Sequence, residues 1–192
     1  ICCLFISCNN EKHTVSTDSE TVTDTLEVKY AKGFELFETN YGYRITVNSP
    51  WPGSKDTLQL DLSRNASQSN LQIPIKKFIA TSTTHIPPLV LLEESDKLIG
   101  FPDTDYISSS EMRQRIDAGK VEDLGANETI NLERTITLQP DLVMGYGIDA
   151  DNPTYQSMID AGIPVLYNGD WTEQHPLGRA EWIKVFGVLF DK

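Results

Sequence analysis

The chain has 192 residues, 39% of them hydrophobic and 23% charged, which suits a globular protein with one good-sized core. With 16 Lys and Arg against 28 Asp and Glu, the net charge is −12, and such a surface repels phosphate backbones and argues against a nucleic-acid partner. No stretch approaches the roughly 20 apolar residues that a membrane-spanning helix needs.

The first eight residues, "ICCLFISC", hold all three cysteines, so the remaining chain has no disulfide framework, redox pair or cysteine metal site. An apolar run and Ser7 precede Cys8, followed by a polar stretch. That order fits a signal-peptide remnant (1–8) ending in a lipobox with Cys8 as the lipidated residue; the competing reading is a truncated apolar N-terminus without special meaning. The opening Ile1 and the final "AEWIKVFGVLFDK" both read as cut ends of a longer protein. Residues 9–25, rich in Ser, Thr and acids, suit a solvated linker.

Between 26 and 72, "LEVKY", "YRITV" and "TLQLDL" alternate apolar and polar residues, and Gly33, Gly42 and "SPWPGS" supply turns. This predicts a small antiparallel β unit. Asn65-Ala66-Ser67 and Asn127-Glu128-Thr129 match glycosylation sequons, which a bacterial lipoprotein leaves unmodified in most cases.

From residue 73 the pattern becomes strand, loop, helix, repeated. "IKKFIATS", "KLIGF", "DLVMGY" and "IPVLYN" read as strands. "PPLVLLEES" opens a helix on prolines, where a missing N–H costs least. "SSSEMRQRIDAG" has serine caps and a Gly119 stop, "NLERTITLQ" stops at Pro140, and "NPTYQSMIDAG" has Asn152 as cap and Gly162 as stop. "PLGRAEWIKVFGVLF" predicts one long final helix. Apolar strands alternating with helices predict an α/β fold whose mainly parallel sheet is covered on both faces.

Such sheets bind ligands beyond the carboxyl ends of their strands. That rule selects four loops, at 82–85, 101–109, 146–152 and 168–176. Tyr106, Tyr146, Tyr167 and Trp171 lie in or beside them, a set suited to a bulky, partly apolar ligand, although each singly fits ordinary packing. Catalytic motifs of the GxSxG, Walker A, HExxH and GxGxxG types are absent. Ser82 and His85, with Asp103 or Asp170, permit a hydrolase-like triad with His85 as base. His85 and His175 permit a Zn or Mn site completed from elsewhere. Asp149 and Asp151 read as a solvated loop.

The segments "FIATSTTHIPPLVLL", "KLIGF", "YISSSEMRQRIDAGKVEDLGANETINLERTITLQPDLVMGYG", "MIDAGIPVLY" and "EQHPLGRAEWIKVFG" carry a resemblance. Over residues 73–192 they resemble the substrate-binding proteins of ABC importers that handle iron-siderophores, haem and cobalamin. The asparagine-leucine-glutamate helix start before "LQPDLV" is the most specific piece, and "HPLGRAEW" resembles a subgroup for iron complexes. The resemblance implies two lobes joined by one long rigid helix, with the first lobe at 73–176, the start of that helix at 177–192, and the second lobe missing. It implies capture without catalysis, no cofactor, and a periplasmic or cell-envelope location on a lipid anchor. Glu133 takes the place of the acid that engages permease arginines. Thr83, Thr84, His85, Tyr106, Tyr146 and Trp171 mark the ligand cleft. The absence of arginine from the four loops weakens a catecholate or carboxylate siderophore and leaves hydroxamates, haem and corrinoids open.

Overall fold

A computed structural model describes residues 21–65, 71–147 and 152–192. Cys8, the linker up to residue 20, most of the first sequon and the Asp149/Asp151 pair lie outside them. The first sheet contains β1 (Val22–Leu26), β2 (Phe34–Thr39), β3 (Gly42–Asn48), β4 (Thr57–Ser63) and β5 (Leu71–Gln72), in that order. Its first four strands are antiparallel neighbours, and β5 runs parallel to β4. Alternation puts Phe34, Leu36, Ile45, Val47 and Leu62 on the buried face.

Two expectations for this unit are corrected. The first strand starts at Val22, inside the stretch expected to be linker, because its β-branched Val and Thr residues pair with β2 in register from Val22↔Thr39 to Leu26↔Leu36. Residues 27–30, expected to be strand, form the loop before β2, and β2 itself was not expected.

The second sheet contains β6 (Phe78–Ala80), β7 (Leu98–Phe101), β8 (Glu122–Asp123), β9 (Leu142–Gly145) and β10 (Val165–Tyr167). The spatial order is β10-β9-β6-β7-β8, and every pairing is parallel. Five helices connect or follow its strands in the expected places: α1 (Ile86–Leu91), α2 (Ser110–Asp117), α3 (Leu132–Leu138), α4 (Pro153–Asp160) and α5 (Pro176–Glu181). Ser109 and Asn152 accept hydrogen bonds from the amides of Met112 and Tyr155, the N-caps expected of them, and Asn131 caps α3 in the same way by accepting the Arg134 amide.

Successive strand residues enter different cores. Phe78, Ala80, Leu142 and Met144 face one cluster, while Ile79 and Val143 face another with Leu124, Tyr155 and Met158. The sheet is therefore covered on both faces, as near-continuous apolar strands require.

The expected long final helix is two helices, α5 and α6 (Ile183–Phe190). The Trp182 amide bonds Arg179 O and the Val185 amide bonds Trp182 O, tighter spacings than an α-helix uses. Glu173 Oε1 meanwhile holds the Trp182 indole N–H at 3.1 Å. In α6, Val185, Phe186, Val188, Leu189 and Phe190 are buried, consistent with a helix enclosed by protein. Phe78 packs edge-on against Phe186 and Phe190, and Trp182 meets Phe34 at 4.7 Å between ring centres. The two sheets thus share one core through this helix pair.

A second tie links them. Glu181 Oε2 accepts the amides of Tyr30 and Ala31 at 2.6 and 2.9 Å, and its Oε1 accepts that of Lys29 at 2.9 Å. Glu173 Oε1 accepts the amides of Lys32 and Gly33, both at 2.9 Å. Two carboxylates therefore hold five consecutive amides of the β1–β2 loop, which would otherwise have no secondary-structure partner.

Candidate functional site

The order of the parallel sheet decides where a crevice opens. From β6 the chain moves outward to β7 and β8, then returns to the other side of β6 for β9 and β10. The carboxyl ends of β6 and β9 are therefore a topological switch point, where adjacent loops diverge. Beyond them lies a cleft of about 480 Å³ lined by Thr81, Ser82, Thr83, Phe101, Pro102, Asp103, Tyr106, Asn127, Glu128 and Tyr146.

Hydrogen bonds pre-form its floor. Thr81 Oγ1 lies 2.9 Å from the Tyr155 hydroxyl and donates to Met144 O at 3.3 Å, so its own proton is committed and Tyr155 is the donor of the shorter bond. Burial pushes the Tyr155 phenol up to about 12, although the Thr81 contact works the other way. Asn127 Nδ2 donates to Thr81 O at 3.2 Å and to the Tyr146 hydroxyl oxygen at 2.8 Å. A carbonyl can only accept, so the Thr81 contact fixes which end of the Asn127 amide points inward. Tyr146 Oη accepts from Asn127, which leaves its own proton available to a ligand. Burial, then the nearby Glu128 carboxylate, raise the Tyr146 pKa and keep that proton in place at neutral pH.

Tyr106 stands at the rim, 74% exposed. The turn that carries it begins at Asp103, whose φ of 49° is left-handed, and Thr104 is secured by its amide and hydroxyl to Asp123 Oδ2 at 2.9 and 2.7 Å. Partial burial opposes ionisation of Asp123, but the hydrogen bonds from Thr104 and Gly125 outweigh it and lower its pKa. Ser82 shapes the loop after β6 by accepting the Thr84 amide.

The expected site residues separate into groups. Thr83, Tyr106 and Tyr146 line the switch-point cleft. Thr84 and Trp171, the latter 39% exposed, line a neighbouring apolar groove of about 440 Å³ with Pro87, Leu91 and Phe186. Burial raises the pKa of Asp170 in that groove, against a hydrogen bond from Thr84 and the field of Arg179. Glu133 is exposed in the first turn of α3 and lines neither cleft. Tyr167 is a core residue, packed edge-on against Trp51 and Tyr155.

His85 corrects its expectation. It is wholly buried, and neither ring nitrogen has a hydrogen-bonding partner among the described residues. Its ring centre lies 6.2 Å from that of Phe186. Burial alone pushes its pKa down to about 3, so it is a neutral core side chain. Its apolar neighbours on α6 came from a helix whose packing the sequence did not reveal. His175 does not join it: its Nδ1 accepts the Leu177 amide at 3.1 Å and caps α5. Neither the triad nor the two-histidine metal site forms.

The residue that sequence reasoning missed is Asn127, noted only as a sequon. Its signal was faint: an asparagine just before an apolar helix resembles an ordinary cap. Gly145 is also informative, because a Cβ there would lie 2.6 Å from the Tyr155 ring. Gly145→Ala is expected to cost about 2 kcal/mol by displacing that ring, and to loosen the cleft floor through Thr81. Urea denaturation checks the first effect, and ligand titration checks the second.

The same fold occurs in solved binding proteins. The petrobactin-binding protein YclQ of Bacillus subtilis superposes with a TM-score of 0.52 at 19% identity, over 78% of this chain and 46% of that one. A periplasmic binding protein of Veillonella parvula gives a TM-score of 0.52 at 14% identity, over 77% of this chain and 46% of that one. The fold is that of a periplasmic binding protein. These structural relatives are binding proteins rather than enzymes. In sequence, the chain is 24% identical over 129 residues to one uncharacterized lipoprotein of Methanocaldococcus jannaschii, covering 64% of this chain and 31% of the relative. It is 25% identical over 176 residues to a second, covering 85% and 43%. The chain spans less than half the length of these curated relatives. No protein-family model matches it.

Proposed function

We propose that this chain is part of the extracytoplasmic substrate-binding component of an ABC importer, which captures a metal chelate and delivers it to a permease. The carrying observation is the pre-formed cleft at the switch point of a binding-protein fold. An iron-siderophore, haem or corrinoid is the cargo class. The petrobactin-binding structural relative and the lipoprotein sequence relatives support this reading. A second lobe, outside this chain, supplies the facing wall. Cys8 carries the lipid that holds the protein at the cell envelope. The protein performs no chemistry; differential docking of open and loaded forms couples it to transport.

Thr83, Tyr106 and Tyr146 contact the chelate from the main cleft, and Thr84 and Trp171 from the adjoining groove. Glu133 docks on the permease: its carboxylate is exposed and forms no ion pair among the described residues, so it is open to a bidentate arginine. The burial of His85 removes the ground for a Zn or Mn site or a hydrolase built on it.

The test reconstitutes the lipoprotein with its permease in vesicles and follows chelate uptake. Glu133→Arg is expected to cut uptake at least tenfold with chelate affinity unchanged. Undiminished uptake by the variant removes the docking role, and the absence of chelate-dependent uptake by the native protein contradicts delivery.

A further inference from the structure

The cleft contains a charge pattern that the cargo must match. Its walls carry the hydroxyls of Ser82, Thr83 and Tyr146 and the carboxylates of Asp103 and Glu128, and no Lys, Arg or His is among its described lining residues. Asp105 beside Tyr106 is fully exposed, but Arg113 lies 3.8 Å from it, so the negative charge of the cleft rests on Asp103 and Glu128.

Arginines on the adjoining elements are engaged with partners of their own. Arg113 on α2 donates to Thr104 O at 2.7 Å, and its other Nη lies 3.8 Å from Asp105 and 3.7 Å from Asp117. Arg134 on α3 faces Glu122 at 3.5 Å and donates to Asp123 O. Arg179 lines the apolar groove, where it faces Asp170 and donates through Nε to Glu173 O. That groove has one charge of each sign, whereas the main cleft is negative. A low-dielectric cleft lined by one sign of charge focuses its field on whatever enters.

Resting on the binding-protein reading, we propose that this cleft selects its cargo by charge: it accepts neutral or cationic chelates, with an ammonium or similar cation set against Asp103 and Glu128, and disfavours anionic ones. Tyr146 adds the complementary feature. With its oxygen accepting from Asn127, it donates its proton to a ligand oxygen, as a neutral hydroxamate or amide carbonyl provides. The cargo class that fits is a hydroxamate-type complex with a free amine, rather than a tricatecholate or a dicarboxylate such as haem.

The experiment measures affinities of the intact protein by calorimetry at low salt. The probes are ferric ferrioxamine B with its free ammonium, its neutral N-acetyl derivative and its anionic N-succinyl derivative, together with haem and a ferric tricatecholate. The ammonium form is expected to bind at least tenfold tighter than the succinyl form, and added salt should narrow the gap. The double variant Asp103→Asn, Glu128→Gln should reduce it to within about threefold; asparagine tolerates the left-handed backbone at 103, so the fold is kept. Equal affinity across the three derivatives, a gap unchanged in the double variant, or tightest binding by haem or the tricatecholate overturns the charge inference and leaves the binding-protein reading standing. Binding of no chelate in the panel, with cobalamin added to it, overturns both.

Discussion

Glu181→Gln is expected to lower the stability of the folded chain by about 3 kcal/mol, because it turns a buried, fully engaged carboxylate into an amide that cannot accept all of its bonds. Each oxygen now accepts from backbone amides of residues 29–31, and Oε1 also pairs with Lys184 at 2.7 Å. The side chain is only 6% exposed, so water cannot substitute. Burial works against the charge, but Lys184 and the three amides outweigh it and hold the pKa at about 2, below the ordinary 4.5. Between those values the unfolded chain binds the proton and the folded chain does not. The contribution is therefore complete above pH 4.5 and lost as pH falls toward 2. Urea denaturation at pH 7 measures the loss, and the variant's transition should also show less acid dependence between pH 4.5 and 3. A variant as stable as the native chain would show that the β1–β2 loop does not depend on this clamp.

His85→Leu should act in the opposite direction. Each buried imidazole nitrogen without a partner carries a desolvation cost, and leucine of similar size removes both. A gain of about 1–2 kcal/mol at pH 7.5 is expected. The larger effect comes in acid. The unfolded imidazole takes up a proton below 6.5, while the folded one stays neutral down to about 3. The native chain thus loses stability as pH falls through that window, by about 2 kcal/mol between pH 6.5 and 5. His85→Leu should remove this slope and keep chelate affinity. An unchanged slope would mean that the ring is not sealed from water, and a large loss of affinity would return His85 to the cleft.

These two positions show what local sequence could and could not reveal. Caps and stops are local chemistry, so the serines before α2 and Asn152 before α4 marked their helices correctly. The parallel sheet with two covered faces followed from apolar strands alternating with helices. The first sheet was only partly legible. "FELFET" alternates imperfectly, with Phe37 on the exposed side, and the Thr-rich segment before it resembled a linker until β2 gave it a partner. The break at Trp182 depends on Glu173 and Phe34, the latter nearly 150 positions away, and no helical periodicity encodes it.

The site follows the same division. The rule for parallel sheets found the loops, and Thr83, Tyr106 and Tyr146 share one cleft. Whether a loop residue points outward is a tertiary matter. His85 follows two exposed threonines and turns under α6, while Asn127 comes from a turn before α3 to join Thr81 and Tyr146. Nothing in "GANETINLE" announces that three-way contact.

The central claim is capture of a chelate at this edge of the sheet, and Trp171 supplies an indicator at its groove. The most direct measurement titrates the tryptophan fluorescence of the intact protein with hydroxamate and catecholate ferric siderophores, haem, cobalamin, Zn²⁺ and Mn²⁺, alongside Trp171→Phe. The account predicts saturable quenching by one chelate class, with most of the amplitude lost in Trp171→Phe. A response to bare Zn²⁺ or Mn²⁺ alone, or none across the panel, would contradict it.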